Sequence, residues 1–235
     1  SSAASDVYKR QVIEHCQAGT FNISEQRNWA LIHAEIKSDW ILFLDADEEI
    51  GTACSSEIRR TIRSSANRNG YELTPRYWFL GRWLKRTQGY PNWHPRLLRQ
   101  GSMYFEGGVW ESFSTSLDIG RINEPYEHYA FSKGIDDWLQ RHIRYADWEA
   151  NRIVEYLDYR DKNALGTKRW LWLRQRSAEL WPLRPILRFS QKYGFQGGFL
   201  EGWQGLLFCL LMGTYDLITV MKVIQIRRRA ANLPL

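Results

Sequence analysis

The sequence predicts an α/β fold, and three segments of the chain lead to that prediction. A short apolar run, Trp40 to Leu44, stops abruptly at carboxylates, which is typical of a strand buried on both faces in a parallel sheet. Tyr71 to Leu80 has the composition of a second strand. Apolar residues between Ile135 and Leu157 recur at helical spacing, so this segment is predicted to form the clearest helix. A chain of 235 residues can bury a core of useful size.

Shorter segments complete the predicted order of elements. In chain order they are a helix at Gln26–Ala34 capped by Ser24, a helix from Ser55 to about Arg63, short strands at Arg96–Arg99 and Ser102–Phe105, two short helices between Lys168 and Lys192, and a nearly apolar helix at Leu206–Ile224. Pro182 and Pro185 divide the two short helices from each other. We interpret residues 1–11 as a non-native junction, because they are polar and fit no element.

The charge of the chain is concentrated near its C-terminus. From Thr167 onward there are eleven Lys or Arg residues and three Asp or Glu residues, whereas the first 166 residues carry a net charge of −2. This asymmetry predicts a local anionic partner, either lipid headgroups or nucleic acid. The three cysteines are isolated in sequence, so neither a disulfide framework nor a zinc site is expected, and a reducing, cytosolic setting fits best.

A cluster of carboxylates, Asp45-Ala46-Asp47-Glu48-Glu49, follows directly on the predicted strand at Trp40–Leu44. Open α/β sheets bind ligands at the carboxyl ends of their strands. Asp45 and Asp47 are therefore candidate ligands for Mg²⁺ or Mn²⁺, which prefer oxygen donors and commonly share them with a diphosphate. The alternative is a solvated acidic turn before the next helix. An EF-hand loop fits poorly, because Ile50 stands where glycine is required.

The pattern around this cluster resembles glycosyltransferase family 2, in particular the branch that builds lipopolysaccharide cores. The likeness is carried by N22-I-S-E-Q-R-N-W-A-L and D39-W-I-L-F-L-D-A-D-E, followed in the same order by R96-L-L-R, V109-W-E and Y126-E-H-Y. It implies an incomplete GT-A, Rossmann-like fold over residues 12–130, whose first strand would precede Val12. It further implies an inverting mechanism that uses a nucleotide-sugar donor.

The resemblance also implies roles for individual residues. Asp47 would bind the metal, and Asp45 would contact the nucleotide ribose or support the metal. Gln26, Arg27 and Asn28 would lie near the nucleotide and its diphosphate; a polar helix start is the alternative for these three. Glu111 would be the catalytic base that takes the proton from the acceptor hydroxyl, or otherwise a surface carboxylate at a strand end.

Further residues are candidates for phosphate or acceptor contacts. They are Arg96, Arg99, His128, Trp93 and Trp110, the last standing where the family usually has histidine. Arginines can bind phosphate or an anionic acceptor through paired hydrogen bonds, although solvated arginines at a strand edge would serve equally well. An indole can stack on the face of a sugar, but closely spaced aromatic residues are also common in protein cores.

The C-terminal third is predicted to associate with a membrane. We expect an amphipathic helix over residues 131–165 that packs on the catalytic domain, followed by a basic, Trp-rich helical region over residues 166–235. Asp216 and Lys222 interrupt the apolar helix, which favours helices lying in the interface over a clean crossing. A pair of core helices is the alternative. The predicted location is the cytoplasmic face of the inner membrane, in peripheral or monotopic attachment.

Three functions remain open on the sequence alone. The first is transfer of a sugar to a lipid-linked or lipopolysaccharide-core acceptor, with a nucleotide-sugar, a glycolipid acceptor and an anionic membrane as partners and no nucleic acid. The second is a non-enzymatic protein that binds a membrane surface or nucleic acid. The third is a metal-dependent phosphohydrolase, for which a second cluster of ligands would be expected. Metal-dependent nucleotide binding distinguishes the first from the second.

Overall fold

A computed structural model describes residues 13–16, 22–64, 68–107, 112–115, 118–161, 165 and 171–235. The strands in this part of the chain are β1 (Trp40–Leu42), β2 (Glu48–Glu49), β3 (Gly70–Phe79), β4 (Arg82–Trp83), β5 (His94–Arg99), β6 (Phe105–Glu106), β7 (Ser112–Phe113) and β8 (Ile119–His128). The helices are α1 (Ile23–His33), α2 (Thr52–Ser64), α3 (Gly134–Tyr159), α4 (Leu171–Glu179), α5 (Arg184–Ser190) and α6 (Gly202–Ala230). The α/β prediction is therefore confirmed at the level of fold class.

One mixed sheet organises the N-terminal part of the chain. Its strand order is β1-β5-β3-β8-β2, with β4 paired to the end of β3, and β6 and β7 form a separate two-stranded sheet. Only β3 and β8 run parallel, whereas the other pairs in the main sheet are antiparallel. Leu73 of β3 and Ile122 of β8 are opposite each other and fully buried, so the core lies along this parallel pair.

The prediction of a parallel strand at Trp40–Leu44 is wrong in its pairing. β1 runs antiparallel to β5, with Ile41 opposite Leu98, and its three residues are only partly buried. Among the described strands β1 stands at one end of the order, so it has a single neighbour. The run is apolar on both faces because Leu42 packs on the apolar cluster around Tyr71, whereas Ile41 packs on a second cluster around Leu98.

The N-cap of helix α1 lies two residues before Ser24, the predicted cap. Asn22 is the N-cap, because its side-chain oxygen accepts hydrogen bonds from the backbone N–H groups of Ser24 and Glu25 at 3.0 and 3.4 Å. Ser24 lies buried inside the first turn instead of capping it. This cap fixes the start of the helix that carries Gln26, Arg27 and Asn28 towards the end of β1.

The C-terminal part of the chain is helical, and α6 is its central element. α6 packs on α3 and on α5, and its Phe208 joins a buried cluster with Phe79 of β3 that connects the helices to the sheet. Small residues of α3, Ala146 and Ala150, are completely buried where the long helices pack together. The predicted helix at Ile135–Leu157 corresponds to α3, which ends two residues later, at Tyr159.

Candidate functional site

Two buried arginines converge on Asp45 at the point where β1 ends. Arg27 reaches it from α1, with 2.7 Å between Nη2 and Oδ1, and Arg96 reaches it from β5, with 3.2 Å between Nη2 and Oδ2. Both guanidinium groups are almost fully buried, whereas the Asp45 side chain is 42% exposed. The rings of Phe43 and Phe105 flank the Arg27 guanidinium at 5.8 and 5.5 Å. Asp45 therefore binds two buried arginines while part of its own side chain stays in contact with solvent.

Glu48 completes this arrangement from the interior. Its carboxylate accepts a hydrogen bond from Arg96 Nη2 at 2.7 Å and another from the backbone N–H of Asp45 at 3.0 Å. The Glu48 side chain is fully buried, so its charge depends on these partners. The phenol of Tyr126 lies behind Arg96, whose Nε donates to the phenol oxygen at 3.4 Å. Glu48 therefore fixes both the turn after β1 and the position of the arginine.

Asp47 points to a different set of partners. Its Oδ2 lies 3.6 Å from His128 Nε2, at the end of β8, and 4.0 Å from Arg141 Nη1, on α3. Polar interaction with His128 lowers the pKa of the Asp47 carboxyl below its usual range, against burial, which raises it. The carboxylate is consequently ionised at neutral pH, yet none of these partners is within ordinary hydrogen-bonding distance.

His128 is held in place by the sheet. β2 pairs with β8 so that Glu48 is directly opposite His128, and the ring of Tyr77 on β3 packs 4.7 Å from the imidazole. His128 Nδ1 lies 3.7 Å from Glu48 Oε1 and is a buried atom without a hydrogen-bond partner in the described part of the chain. The imidazole therefore stands between two carboxylates and is bound closely by neither.

The fit of a divalent cation depends on these distances. Within the described residues, no group of three or more His, Cys, Asp and Glu side chains is arranged to hold a metal ion. Both oxygens of Asp45 are taken by arginines, which leaves Asp47, with His128 beside it, as the ligand that the geometry offers. Mg²⁺ commonly accepts one or two carboxylates and completes its shell with water and phosphate oxygens. Asp47 fits a cation of that kind, shared with a ligand.

The other predicted contact residues lie on α1, on β5 and directly before β5. Asn28 forms two hydrogen bonds of 2.8 Å with the backbone of Phe105, so its amide holds β6 against α1. The guanidinium of Arg99 lies 5.2 Å from the centre of the ring of Trp40, the residue opposite it on β1. Arg121 lies over the ring of Trp93 at 4.8 Å.

The roles of three predicted residues stay predictions. Gln26 precedes Arg27 on α1, partly buried, and its role stays a prediction. Glu111 and Trp110 lie outside the described residues, as does the predicted junction at residues 1–11. The assignment of Glu111 as catalytic base therefore also stays a prediction.

A cavity of about 200 Å³ adjoins the carboxylates. It lies where β3, α3 and α6 meet, and half of its lining residues are Phe, Tyr or Trp, among them Tyr77, Trp78, Phe131 and Trp138. Tyr77 also packs on His128, and Arg141 lines the cavity while facing Asp47, so the cavity and the carboxylates share a wall. Its volume is below the roughly 300–1,000 Å³ of pockets for drug-sized ligands, so it suits a single small ring.

Sequence reasoning missed Glu48 and Arg141. Glu48 lies inside the acidic cluster, but only its pairing opposite His128 shows that it is enclosed while its neighbours are not. Arg141 is on α3, and nothing in its local sequence distinguishes it from the other basic residues of that helix. Its salt bridge to Asp137, at 2.8 Å, and its hydrogen bond to the carbonyl of Ala130, at 2.7 Å, hold it beside Asp47.

Comparison of the chain with protein-family models and with curated protein sequences gives no match to either.

Proposed function

We propose that this protein is a metal-dependent, inverting glycosyltransferase that moves a sugar from a nucleotide-sugar to a lipid-linked or lipopolysaccharide-core acceptor. The observation that supports this most is the end of β1, where an ionised Asp47 lies beside a half-exposed Asp45 that binds two buried arginines. A nucleoside diphosphate leaving group needs positive charge around its phosphates, which a cation and fixed guanidinium groups supply. The sequence pattern that resembles glycosyltransferase family 2 agrees with this proposal.

In the proposed donor complex, Asp47 and His128 would hold Mg²⁺ or Mn²⁺. The bound cation would supply positive charge that offsets the charge developing on the departing diphosphate. Asp45 keeps Arg27 and Arg96 in position and offers its exposed side to the ribose. These separate roles agree with the contacts: both carboxylate oxygens of Asp45 bind arginines, whereas the partners of Asp47 lie 3.6 and 4.0 Å away.

The cavity beside Tyr77 is the proposed site of the acceptor sugar. Its aromatic wall offers flat surfaces on which a sugar ring can stack, and Arg141 connects it to Asp47. Glu111 is the proposed base, on the strength of the family pattern: it takes the proton from the acceptor hydroxyl as that oxygen attacks the anomeric carbon. The bond between the anomeric carbon and the diphosphate oxygen then breaks, and the sugar is transferred with inversion.

The proposal is tested by separating binding from transfer. Asp47→Asn should weaken Mn²⁺-dependent binding of nucleoside diphosphates by at least about 100-fold, measured by calorimetry over a panel of diphosphates. Glu49→Gln is the matched control, because it removes one charge from an exposed residue two positions further along the chain, in β2, and should leave binding unchanged. Glu111→Gln should retain binding but abolish transfer, if Glu111 is the base.

Two results would contradict the proposal. If the parent protein bound nucleotides with the same affinity with and without Mn²⁺, the proposed metal would have no role in binding. Equal affinity in the Asp47→Asn and Glu49→Gln variants would show that Asp47 is only one of several surface charges. Either result would favour the second candidate function, a non-enzymatic membrane-surface protein, for which α6 provides an independent observation.

The proposed location of the reaction is a membrane surface. In the described part of the chain, one helical segment, Gly198–Ala230, is long and apolar enough to cross or associate with a membrane, by length and composition alone. We place the protein on the cytoplasmic face of the inner membrane, in peripheral or monotopic attachment, because a lipid-linked acceptor would be presented there. Nucleic acid has no part in this proposal.

A further inference from the structure

Helix α6 has one face that the rest of the protein covers and one that it does not. The covered face contains Phe208, Tyr215 and Val223, which pack on α3 and the sheet, and Val220, which is also buried. The uncovered face is a line of residues that we name the apolar stripe: Trp203, Leu207, Leu210, Thr214, Leu217, Met221 and Ile224. Its steps alternate between four and three residues, which keeps the stripe on one side of the helix.

The apolar stripe is large and exposed. Its six apolar side chains are between 41% and 64% exposed, and they extend over about 32 Å of helix at 1.5 Å per residue. Ile186 and Leu187 of α5 are exposed as well, at 68% and 45%. Contiguous apolar surface of this extent normally indicates a binding surface in a folded protein.

Basic side chains lie at both ends of the apolar stripe. Arg82 of β4 donates a hydrogen bond to the carbonyl of Leu200 at 3.3 Å, beside the start of α6. Arg228 follows Ile224 by one helical step at the other end and is exposed. The surrounding chain from Thr167 onward carries a net charge of +8. Apolar surface bounded by arginines matches the boundary between acyl chains and anionic headgroups.

The acidic and basic residues that interrupt α6 do not lie on the apolar stripe. Asp216 is buried and paired with Arg184 at 2.8 Å and with Arg188 at 2.7 Å, both from α5. Lys222 binds Asp147 of α3 at 2.7 Å. Asp216 and Lys222, whose charges would make contact of α6 with hydrocarbon costly, are therefore paired with side chains of α5 and α3.

The packing of α6 also determines its orientation. A crossing helix would take α3 into the hydrocarbon with it, since the two pack together over much of their length. α3 exposes Arg144, Glu155 and Asp158 to solvent, and charged side chains of this kind are expensive inside a bilayer. The arrangement permits contact with lipid only along one side of α6.

We propose that the apolar stripe rests on an anionic lipid surface with the axis of α6 parallel to the membrane plane. This inference rests on the membrane-associated part of the proposed function and is independent of the transfer reaction. Trp203 lies at the interface, where an indole is suited to contact both headgroups and acyl chains. The acceptor site beside Tyr77 is then held at a fixed height above the lipid, because Phe208 and Met212 of α6 form part of its wall.

The first experiment measures co-sedimentation of the full chain with vesicles. Vesicles of equal parts phosphatidylcholine and phosphatidylglycerol should bind the parent protein, and phosphatidylcholine alone should bind it more weakly. Combining Leu210→Gln, Leu217→Gln and Met221→Gln should weaken binding by roughly 100-fold, because three half-buried apolar contacts are lost. Glutamine keeps the helix intact.

The matched control combines Ile32→Gln, Tyr104→Gln and Ile135→Gln, exposed residues outside α5 and α6, and should bind as the parent does.

A charge variant tests the anionic component separately. Arg228→Gln with Arg229→Gln should reduce binding to the mixed vesicles by about 30-fold and leave binding to pure phosphatidylcholine nearly unchanged. Retained Mn²⁺-dependent nucleotide binding in every variant would show that the fold and the donor site are intact. Failure of vesicle binding is thereby distinguished from failure of the proposed function.

A second experiment tests the orientation. Nitroxide labels at Leu207→Cys, Thr214→Cys and Met221→Cys, each in a Cys16→Ser chain, leave only the buried Cys54 and Cys209 as other thiols. The first and last labels are about 21 Å apart along the helix. A flat helix gives equal, shallow depths at all three positions by electron paramagnetic resonance. A deep central label with shallow outer ones would show a crossing and overturn the flat orientation.

Two further results would overturn the lipid surface itself. One is equal vesicle binding by the stripe triple variant and its control. The other is a stable dimer in the absence of vesicles in which all three labels are shielded, since that would make a second copy of this chain the partner of the stripe.

Discussion

Both halves of the molecule bury an arginine against two carboxylates, but they expose these charges differently. In the sheet, Arg96 binds Asp45 and Glu48; in the helices, Arg184 binds Glu149 and Asp216. Asp45 has 42% of its side chain exposed, whereas Asp216 has 1%. The helical cluster is also closed by the hydroxyl of Tyr215, which donates to Glu149 at 2.6 Å.

The difference indicates separate roles for the two clusters. A buried ion pair contributes little net stability, but it becomes costly when one partner is removed and the other stays enclosed. The helical cluster satisfies its charges internally, so its role is to fix α3, α5 and α6 against one another. The sheet cluster leaves one carboxylate open to solvent beside Asp47, which is the exposure that the proposed donor site requires.

The largest expected effect is the loss of Asp216. Asp216→Ala leaves Arg184 buried without one of its carboxylate partners, which should lower the free energy of unfolding by about 3–5 kcal/mol. Denaturant titration followed by circular dichroism measures it. Asp147→Ala is the control, because it removes a half-exposed carboxylate paired with Lys222 and should cost less than about 1 kcal/mol. Equal losses in the two variants would mean that burial of an ion pair does not determine the cost of removing its carboxylate.

The next effect is a dependence of stability on pH that arises in both regions. Burial and then the charge of Arg96 lower the pKa of His94, in the sheet, from 6.5 to about 4, and burial lowers that of His142, on α3, to about 4. Between about pH 6.5 and pH 4 the unfolded chain therefore binds protons that the folded protein does not, so stability falls as pH falls through this window.

Single substitutions measure how much of this pH dependence comes from the sheet and how much from α3. Because of His94, the free energy of unfolding of the parent protein should fall by on the order of 2 kcal/mol between pH 6.5 and pH 4, at up to about 1.4 kcal/mol per pH unit. The His94→Gln variant should not show this decrease. His142→Gln should remove a smaller part, because His142 is less enclosed. The measurement is the unfolding midpoint in denaturant at a series of pH values. If the parent were as stable at pH 4 as at pH 6.5, neither histidine would be kept neutral by the fold.

Local patterns in the sequence predicted the elements better than their pairing. Helical spacing placed α3 to within two residues at each end, since it depends on neighbours three and four positions apart. The antiparallel pairing of β1 with β5 could not be predicted, because apolar residues on both faces suit an interior parallel strand and a strand between two apolar clusters equally well.

The same limit applies to the candidate site. The position of Asp45 and Asp47 after a strand was readable from the sequence, whereas their partners come from distant elements. Arg96 is 51 residues from Asp45 along the chain, and Arg141 reaches Asp47 from a helix that follows the whole sheet. Asp216 was interpreted as an obstacle to lipid contact because its partners on α5, Arg184 and Arg188, are brought to it only by helix packing.

The smallest expected effect is the sheet counterpart of the Asp216 variant. Asp45→Ala should lower the free energy of unfolding by about 1 kcal/mol, because Glu48 still binds Arg96 and water can reach the vacated position. Its effect on nucleotide binding should be larger than its effect on stability, since Arg27 and Arg96 lose the carboxylate that orients them. Parallel denaturant and calorimetric titrations test both. A stability loss as large as that of Asp216→Ala, with unchanged nucleotide affinity, would make the sheet cluster a structural device like its helical counterpart.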